Sequence, residues 1–384
     1  MIASDHAAFH KAIAADPADL TGRLVYADFL EETGEPAHVA RAEFIRAQIE
    51  ADGLLPNDPR RAKLLGCADG LFAEYWLDWW TPVCRAVGLR VPYIPGTRLR
   101  ERVARAIGMN RPVGWPYHAG RSGVEVLPSG PGKFERTDRL HRASFSRGCL
   151  ERLALVGTLA SWAKPIRRWA ASFPLRSLQL SGILGQDWAV IAGDHLGRVE
   201  QLGLVGCNPE PVRLVLASPH LTRVTTLYLL ADRTHAGWAE DQLRGVLASP
   251  LAPGLISLQV SLVNRDEAAV LATAHRLTHL SRLTVQTGTD GQPGADAGAS
   301  EVITTLAGAA VVGQLEWLTL DLWRGATGSQ HPVHPAVEAA LLRLLEALNP
   351  DRLRFLNLDA TQAAHPRIAE LIAARFGDKV VMMR

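Results

Sequence analysis

The chain has 384 residues and a net charge of +2, and 47% of its side chains are hydrophobic. That length exceeds what one ordinary core needs, so two domains or a repeat array with a cap is expected, and the apolar content argues against global disorder. The near-neutral balance gives no bulk attraction to nucleic acid.

The first residues, Met1-Ile2-Ala3-Ser4-Asp5-His6, lack a basic region followed by an apolar one, so no secretory signal is expected. No stretch reaches about 18 uninterrupted apolar residues, so no membrane span is expected either. The four cysteines (Cys67, Cys84, Cys149 and Cys207) are scattered and form no Cys-x-x-Cys pair. They read as small buried apolar side chains of a protein in a reducing cytoplasm.

The spacing predicts three helices over 4–15, 20–32 and 37–51. Phe9 and Ile13 lie at i,i+4 in the first, and Asp16-Pro17 ends it. The second places Leu20, Leu24, Ala27 and Leu30/Phe29 on one stripe, with Gly34 as its C-terminal cap. The third carries Val39, Ala42, Phe44/Ile45 and Ile49.

Asp19-Leu20, Arg23-Leu24-Val25-Tyr26-Ala27-Asp28-Phe29-Leu30-Glu31-Glu32-Thr33-Gly34 and Arg41-Ala42-Glu43-Phe44-Ile45-Arg46-Ala47-Gln48 follow one another in this stretch. In order and spacing they resemble the bacterial repeat-companion domain, a short segment found ahead of leucine-rich repeats. Phe145-Ser146-Arg147-Gly148-Cys149-Leu150-Glu151-Arg152 is similar to the segment that leads such proteins into their repeats, with Cys149 where Phe is commoner. The resemblance implies a small helical domain over residues 1–52 with repeats further on, and it implies no activity. The polar residues Arg23, Tyr26, Asp28, Glu31, Glu32, Arg41, Glu43 and Arg46 read either as a binding site or as ion pairs locking the helices. Pairing is the commoner use of such charges.

Residues 53–147 form a linking and capping segment. Leu71-Phe72-Ala73-Glu74-Tyr75-Trp76-Leu77-Asp78-Trp79-Trp80 predicts an aromatic helix that covers the first repeat, and 112–133 predicts a Gly/Pro-rich loop. Residues 1–58 carry 11 Asp/Glu against four Lys/Arg, whereas 85–150 carry 13 Lys/Arg against four Asp/Glu. The two stretches either attract each other or are ordinary solvated faces.

From 148 to 384 an apolar-x-x-apolar-x-apolar core recurs eight times. The cores are Leu150/Leu153/Leu155, Leu175/Leu178/Leu180, Val199/Leu202/Leu204, Val224/Leu227/Leu229, Leu255/Leu258/Val260, Leu280/Leu283/Val285, Leu315/Leu318/Leu320 and Leu353/Leu356/Leu358. Their starts are 25, 24, 25, 31, 25, 35 and 38 residues apart. Alternation puts the last two apolar residues of each core on one face of a short strand, and the first enters the same core as the chain turns into it. Helical spacing around 189–191, 242–247, 267–271 and 337–342 predicts return helices. Leu216-Ala217-Ser218-Pro219 and Leu247-Ala248-Ser249-Pro250 stop two of the returns with proline.

These cores resemble leucine-rich repeats, whose period is about 20–29 residues. The resemblance implies an α/β solenoid of parallel short strands and outer helices, preceded by the helical N-terminal cap. The family's Asn or Cys after the strand is met only by Cys207; Thr158, Ile183 and Val263 stand at the equivalent positions, so an irregular array is expected.

No phosphate loop, dinucleotide fingerprint, His-Glu-x-x-His or Gly-x-Ser-x-Gly is present. His331 and His334 lack further ligands, Cys84 lacks a histidine partner, and 290–298 lacks the terminal Glu of a calcium loop. No catalytic residue, metal or cofactor is therefore expected. In such repeats the residues between strand leucines face the concave surface. They give Tyr228, Gln259, Arg282, Gln286, Trp317, Thr319, Asp321, Phe355, Asn357 and Asp359 as candidate partner-binding residues, with Trp317 and Phe355 beside carboxylates pointing to a basic protein partner. Alternatively, the two aromatics pack under an insertion. The expected function is non-catalytic protein recognition. One alternative is a targeting subunit or regulator with an enzymatic or toxin-like module in 53–147. Another is nucleic-acid binding by the basic 85–150 segment through Arg98, Arg100, Arg102 and Arg105.

Overall fold

Asp19 starts the second helix because its carboxylate accepts the backbone N–H groups of Thr21 and Gly22, at 2.9 and 3.0 Å. Gly34, at φ +68°, lets the chain leave that helix in a left-handed turn. A computed structural model describes residues 2–16, 19–54, 58–87, 123–124, 139–147, 149–156, 159–181, 193–230, 238–287, 295–322, 334–358 and 365–377. The protein is α/β, and its residues divide into two compact units, Met1–Leu180 and Ser181–Arg384.

In the first unit, α1 (Ile2–Ala15), α2 (Leu20–Glu32) and α3 (Pro36–Asp52) fall within one or two residues of the predicted helices. The face α2 buries is different. Leu20 and Leu24 are 38% and 37% exposed, while Arg23, Tyr26, Ala27 and Leu30 are buried. The helix is rotated from its most apolar stripe because Arg23 finds a partner inside, described below. α4 (Pro59–Val87) packs along α3. Its Phe72 and Trp79 cluster with Phe44, with ring centroids 5.1–6.1 Å apart, and the Trp79 indole donates to the Ala37 carbonyl at 2.8 Å. Phe72 and Trp79 thus face α3.

Strands β1 (Gly123–Val124), β2 (Arg139–Ser146) and β3 (Cys149–Val156) pair antiparallel. α5 (Leu159–Ser172) follows and contacts α1 and α4, and β4 (Ser177–Ser181) comes next in the chain. The predicted loop 112–133 and the arginines at 98–105 lie outside the described residues apart from β1.

The second unit alternates strand and helix: β5 (Gln201–Val205), α6 (Pro209–Leu216), β6 (Thr226–Leu230), α7 (Trp238–Ala248), β7 (Ser257–Leu262), α8 (Arg265–Ala272), β8 (Arg282–Thr287), α9 (Ala295–Ala307), β9 (Trp317–Leu322), α10 (Pro335–Ala347), β10 (Phe355–Leu358) and α11 (Pro366–Phe376). The six strands are parallel, and each pairs with its neighbour in chain order. Consecutive helices also pack on one another in chain order.

One hydrogen bond repeats at every step. The N–H two residues before the second paired residue of each strand, at Thr225, Ile256, Ser281, Glu316 and Arg354, donates to the carbonyl of Glu200, Thr225, Ile256, Ser281 and Glu316 respectively, at 2.8–3.0 Å. Every core residue named from the sequence whose burial is described is at most 3% exposed, and only Leu150 falls outside. Burying each such Leu or Val contributes on the order of 1.5–3 kcal/mol.

Side chains on two helices tie down the turns that follow β5 and β7. Gln242 on α7 donates to the Cys207 carbonyl at 2.7 Å. Glu267 on α8 accepts the Val263 N–H at 2.6 Å, while Asn264 caps the Glu267 N–H at 3.0 Å, a reciprocal pair at the helix start. No described helix is long and apolar enough to cross a membrane.

Candidate functional site

The pleat of β5–β10 turns alternate residues away from the buried leucines, and the register aligns them into rows across the sheet. The first row runs Gln201, Thr226, Ser257, Arg282, Trp317, Phe355. The second runs Gly203, Tyr228, Gln259, Thr284, Thr319, Asn357. At the far end of the strands, Ser261, Gln286 and Asp321 align.

Nine of the ten residues picked from the sequence stand in these rows; Asp359 lies outside the described residues. Their accessibility is uneven. Arg282 is exposed, Trp317, Thr319, Asp321 and Asn357 are half-buried, and Tyr228, Gln259, Gln286 and Phe355 are buried.

The first row contains a stack. Trp317 lies 3.6 Å, centroid to centroid, from Phe355 at an interplanar angle of 23°. The Arg282 guanidinium carbon lies 5.8 Å from the centre of the Trp317 ring. In register, tryptophan is the middle member. Its indole N–H donates to the Thr319 hydroxyl at 3.2 Å, which fixes the ring's rotation. Cation–π contact and aromatic stacking each contribute on the order of 1 kcal/mol beyond burial. The two aromatics therefore pack on one another, and the stack presents Arg282 and part of the indole outward. At the opposite end, Ser261 donates to Gln286 at 3.5 Å, and Gln286 donates to Asp321 at 3.3 Å.

A second polar cluster lies in the first unit, and half of it was invisible from sequence. The Arg23 guanidinium pairs with Glu151 on β3 at 2.6 Å, with side chains 0% and 4% exposed. Arg23 also donates to the Arg147 carbonyl at 3.2 Å, and Arg147, at φ 48°, donates its N–H to Gln48 and pairs with Asp52 at 3.3 Å. The turn of the β2–β3 hairpin is thus held by α2 and α3.

The Tyr26 hydroxyl bonds His6 Nδ1 at 2.9 Å and His10 Nε2 at 3.3 Å, and Arg41 approaches His10 at 3.5 Å. Burial holds His6 down at about 4, helped by repulsion from His38 and Arg41, and holds His10 down at about 3, helped by Arg41 and His6. Burial likewise pushes the Tyr26 hydroxyl up. Both histidines are neutral at neutral pH. Their i,i+4 spacing on α1 was the available sequence signal. Arg46 holds Asp28 and Glu31 at 2.7 and 2.6 Å on the surface. Of the two uses weighed for these polar residues, the contacts of Arg41 and Arg46 tie helix to helix, and those of Arg23 tie α2 to the β2–β3 hairpin.

Among the described residues no three His, Cys, Asp or Glu side chains converge as metal ligands. His334 caps α10, its Nδ1 accepting the Ala336 N–H at 3.2 Å. The chain matches no family model, and no curated protein matches it significantly.

Proposed function

We propose that this protein is a non-catalytic, cytoplasmic recognition scaffold whose partner is another protein. In this reading residues 148–384 form a leucine-rich-repeat-like solenoid, residues 1–52 a repeat-companion cap, and 53–147 the link between them. Two features support the solenoid: strands and helices are each neighbours in chain order, and one backbone hydrogen bond repeats at each step. The observation that carries the recognition reading is the Arg282–Trp317–Phe355 row. Such aromatic and arginine side chains, pre-positioned on a rigid sheet, are the residue types that dominate protein interfaces.

Site-specific photocrosslinkers test this. Placed at Thr284, Thr319 and Asn357, they are expected to trap a partner protein in the native cell, while the same group at Arg343, on the exposed side of α10, is not. Adducts from Arg343 with none from the sheet positions would reject the assignment. The alternatives in 53–147 and 85–150 have no observation among the described residues that favours them.

A further inference from the structure

We infer that the face of β5–β10 around Arg282 takes an acidic protein segment, with Arg282 as the receptor for its carboxylate. This rests on the recognition reading above and deepens it by naming the partner's chemistry. Counting carboxylates in the sequence pointed the other way, to a basic partner. The geometry favours the reverse choice, because Asp321, the described one of the two carboxylates, and the Arg282 guanidinium are not equally committed.

Asp321 already accepts a hydrogen bond from Gln286, whose own amide oxygen accepts from Ser261. Arg282, by contrast, is exposed, and its guanidinium makes no hydrogen bond or ion pair among the described residues. Glu316 and Arg354, exposed at the turns before β9 and β10, oppose each other in charge, and neither pairs with Arg282. Among the described residues, the guanidinium's one contact is to the Trp317 ring.

That contact leaves the donors unspent. A guanidinium held over an aromatic ring keeps its in-plane N–H groups, the fork that matches a carboxylate in two parallel bonds. The ring is itself fixed by Thr319 on one side and Phe355 in the stack, so little side-chain freedom is lost on binding. Beside Arg282 in the row stand Ser257 and Thr226, short side chains that leave room for an incoming group. The half-buried members of the second row offer hydroxyls and an amide (Thr284, Thr319, Asn357) to a polypeptide's backbone and side chains. Arg282 is the one charged side chain of the two rows, too little positive charge to hold a phosphate backbone, which needs several cations in line. A protein segment with an Asp or Glu at the contact point fits.

The test uses the full chain, immobilised, and a displayed library of random twelve-residue peptides as the probe. Enriched peptides are expected to carry more Asp and Glu than Lys and Arg. One of them, resynthesised, should bind R282Q about tenfold more weakly, R282K with an intermediate loss, and wild type progressively less as salt rises. T284E, which adds a negative charge beside the site, should also weaken it, and R282E should select basic peptides instead. Enrichment of basic or neutral peptides that W317A abolishes would overturn the acidic partner and leave the recognition surface standing. No enrichment, or peptides that bind W317A and R282Q as well as wild type, would overturn both; circular dichroism of each variant confirms that the fold is retained.

Discussion

The two units are organised by opposite kinds of contact. Among the described residues of the second, strands pair and helices pack with their neighbours in chain order, and the interior is Leu and Val set in register. In the first, the decisive contacts are polar, single and distant in sequence: Arg23 reaches across to Glu151 and the Arg147 carbonyl, and Gln48 to the same turn. An array of equivalent local contacts spreads its stability over many rows, and the loss of one is felt mainly next door. A buried ion pair concentrates it, because either partner left alone is an uncompensated charge in a dry interior.

The largest expected effect follows from that contrast. R23M should destabilise by about 3–5 kcal/mol, while R23M/E151L, which removes both charges, should recover most of the loss. Hydrogen exchange followed by peptide would place the loosening in residues 2–52 and the β2–β3 hairpin. A double variant as weak as the single would mean the pair's charges are not what hold the turn.

Leu→Ala substitutions in the array probe the other half of the comparison. L283A is expected to cost about 2–5 kcal/mol. Adjacent L283A and L318A should be non-additive in denaturant titrations, whereas L202A and L356A, at opposite ends, should add to within about 0.5 kcal/mol. Additivity for the neighbours would contradict nearest-neighbour organisation.

Acid should separate the units next. A histidine whose folded value lies below 6.5 takes up protons more readily once unfolded. Its contribution is therefore complete above about 6.5 and is lost as pH falls, through the windows down to about 4 for His6 and about 3 for His10. Exchange protection in α1 and α2 should drop across that range before protection in β5–β10 does. H10Q should flatten the pH dependence.

The smallest effect belongs to Glu267. Burial raises its carboxyl above the ordinary value of 4.5, against the pull of the Val263 and Asn264 backbone bonds. Its stabilising share is present at low pH and declines as pH rises through the raised value, the reverse of the histidines. E267Q keeps an acceptor for the Val263 N–H and should remove that slope while changing stability by less than about 1 kcal/mol; E267A, which leaves the N–H without it, should cost about 1–3 kcal/mol. Thermal melts at two pH values distinguish them.

Much of this was legible in the residues themselves. Eight apolar triplets in register implied parallel strands, and the described members of all eight are buried, because strand periodicity and the need to hide leucine are local and repeated. Helices α1–α3 were placed by their breaks and caps for the same reason. The positions facing outward between the leucines followed from alternation alone, so the rows containing Trp317 and Phe355 could be written down in advance.

What alternation could not tell was which of those side chains remain reachable. Phe355 and Tyr228 are buried and Arg282 is exposed, because that depends on how neighbouring strands stack their side chains. Nor could it tell which face of α2 turns inward. Leu20 and Leu24 made the stronger apolar stripe, yet Arg23 lies in the interior, and its partner is 128 positions further along the chain. The amino-acid sequence by itself determined the repeated elements and their faces, since these rest on contacts between near neighbours. Only the tertiary structure decided the Arg23–Glu151 pair, the histidine–tyrosine cluster and the free donors of Arg282, since a charge's fate depends on whichever distant group the fold brings to meet it.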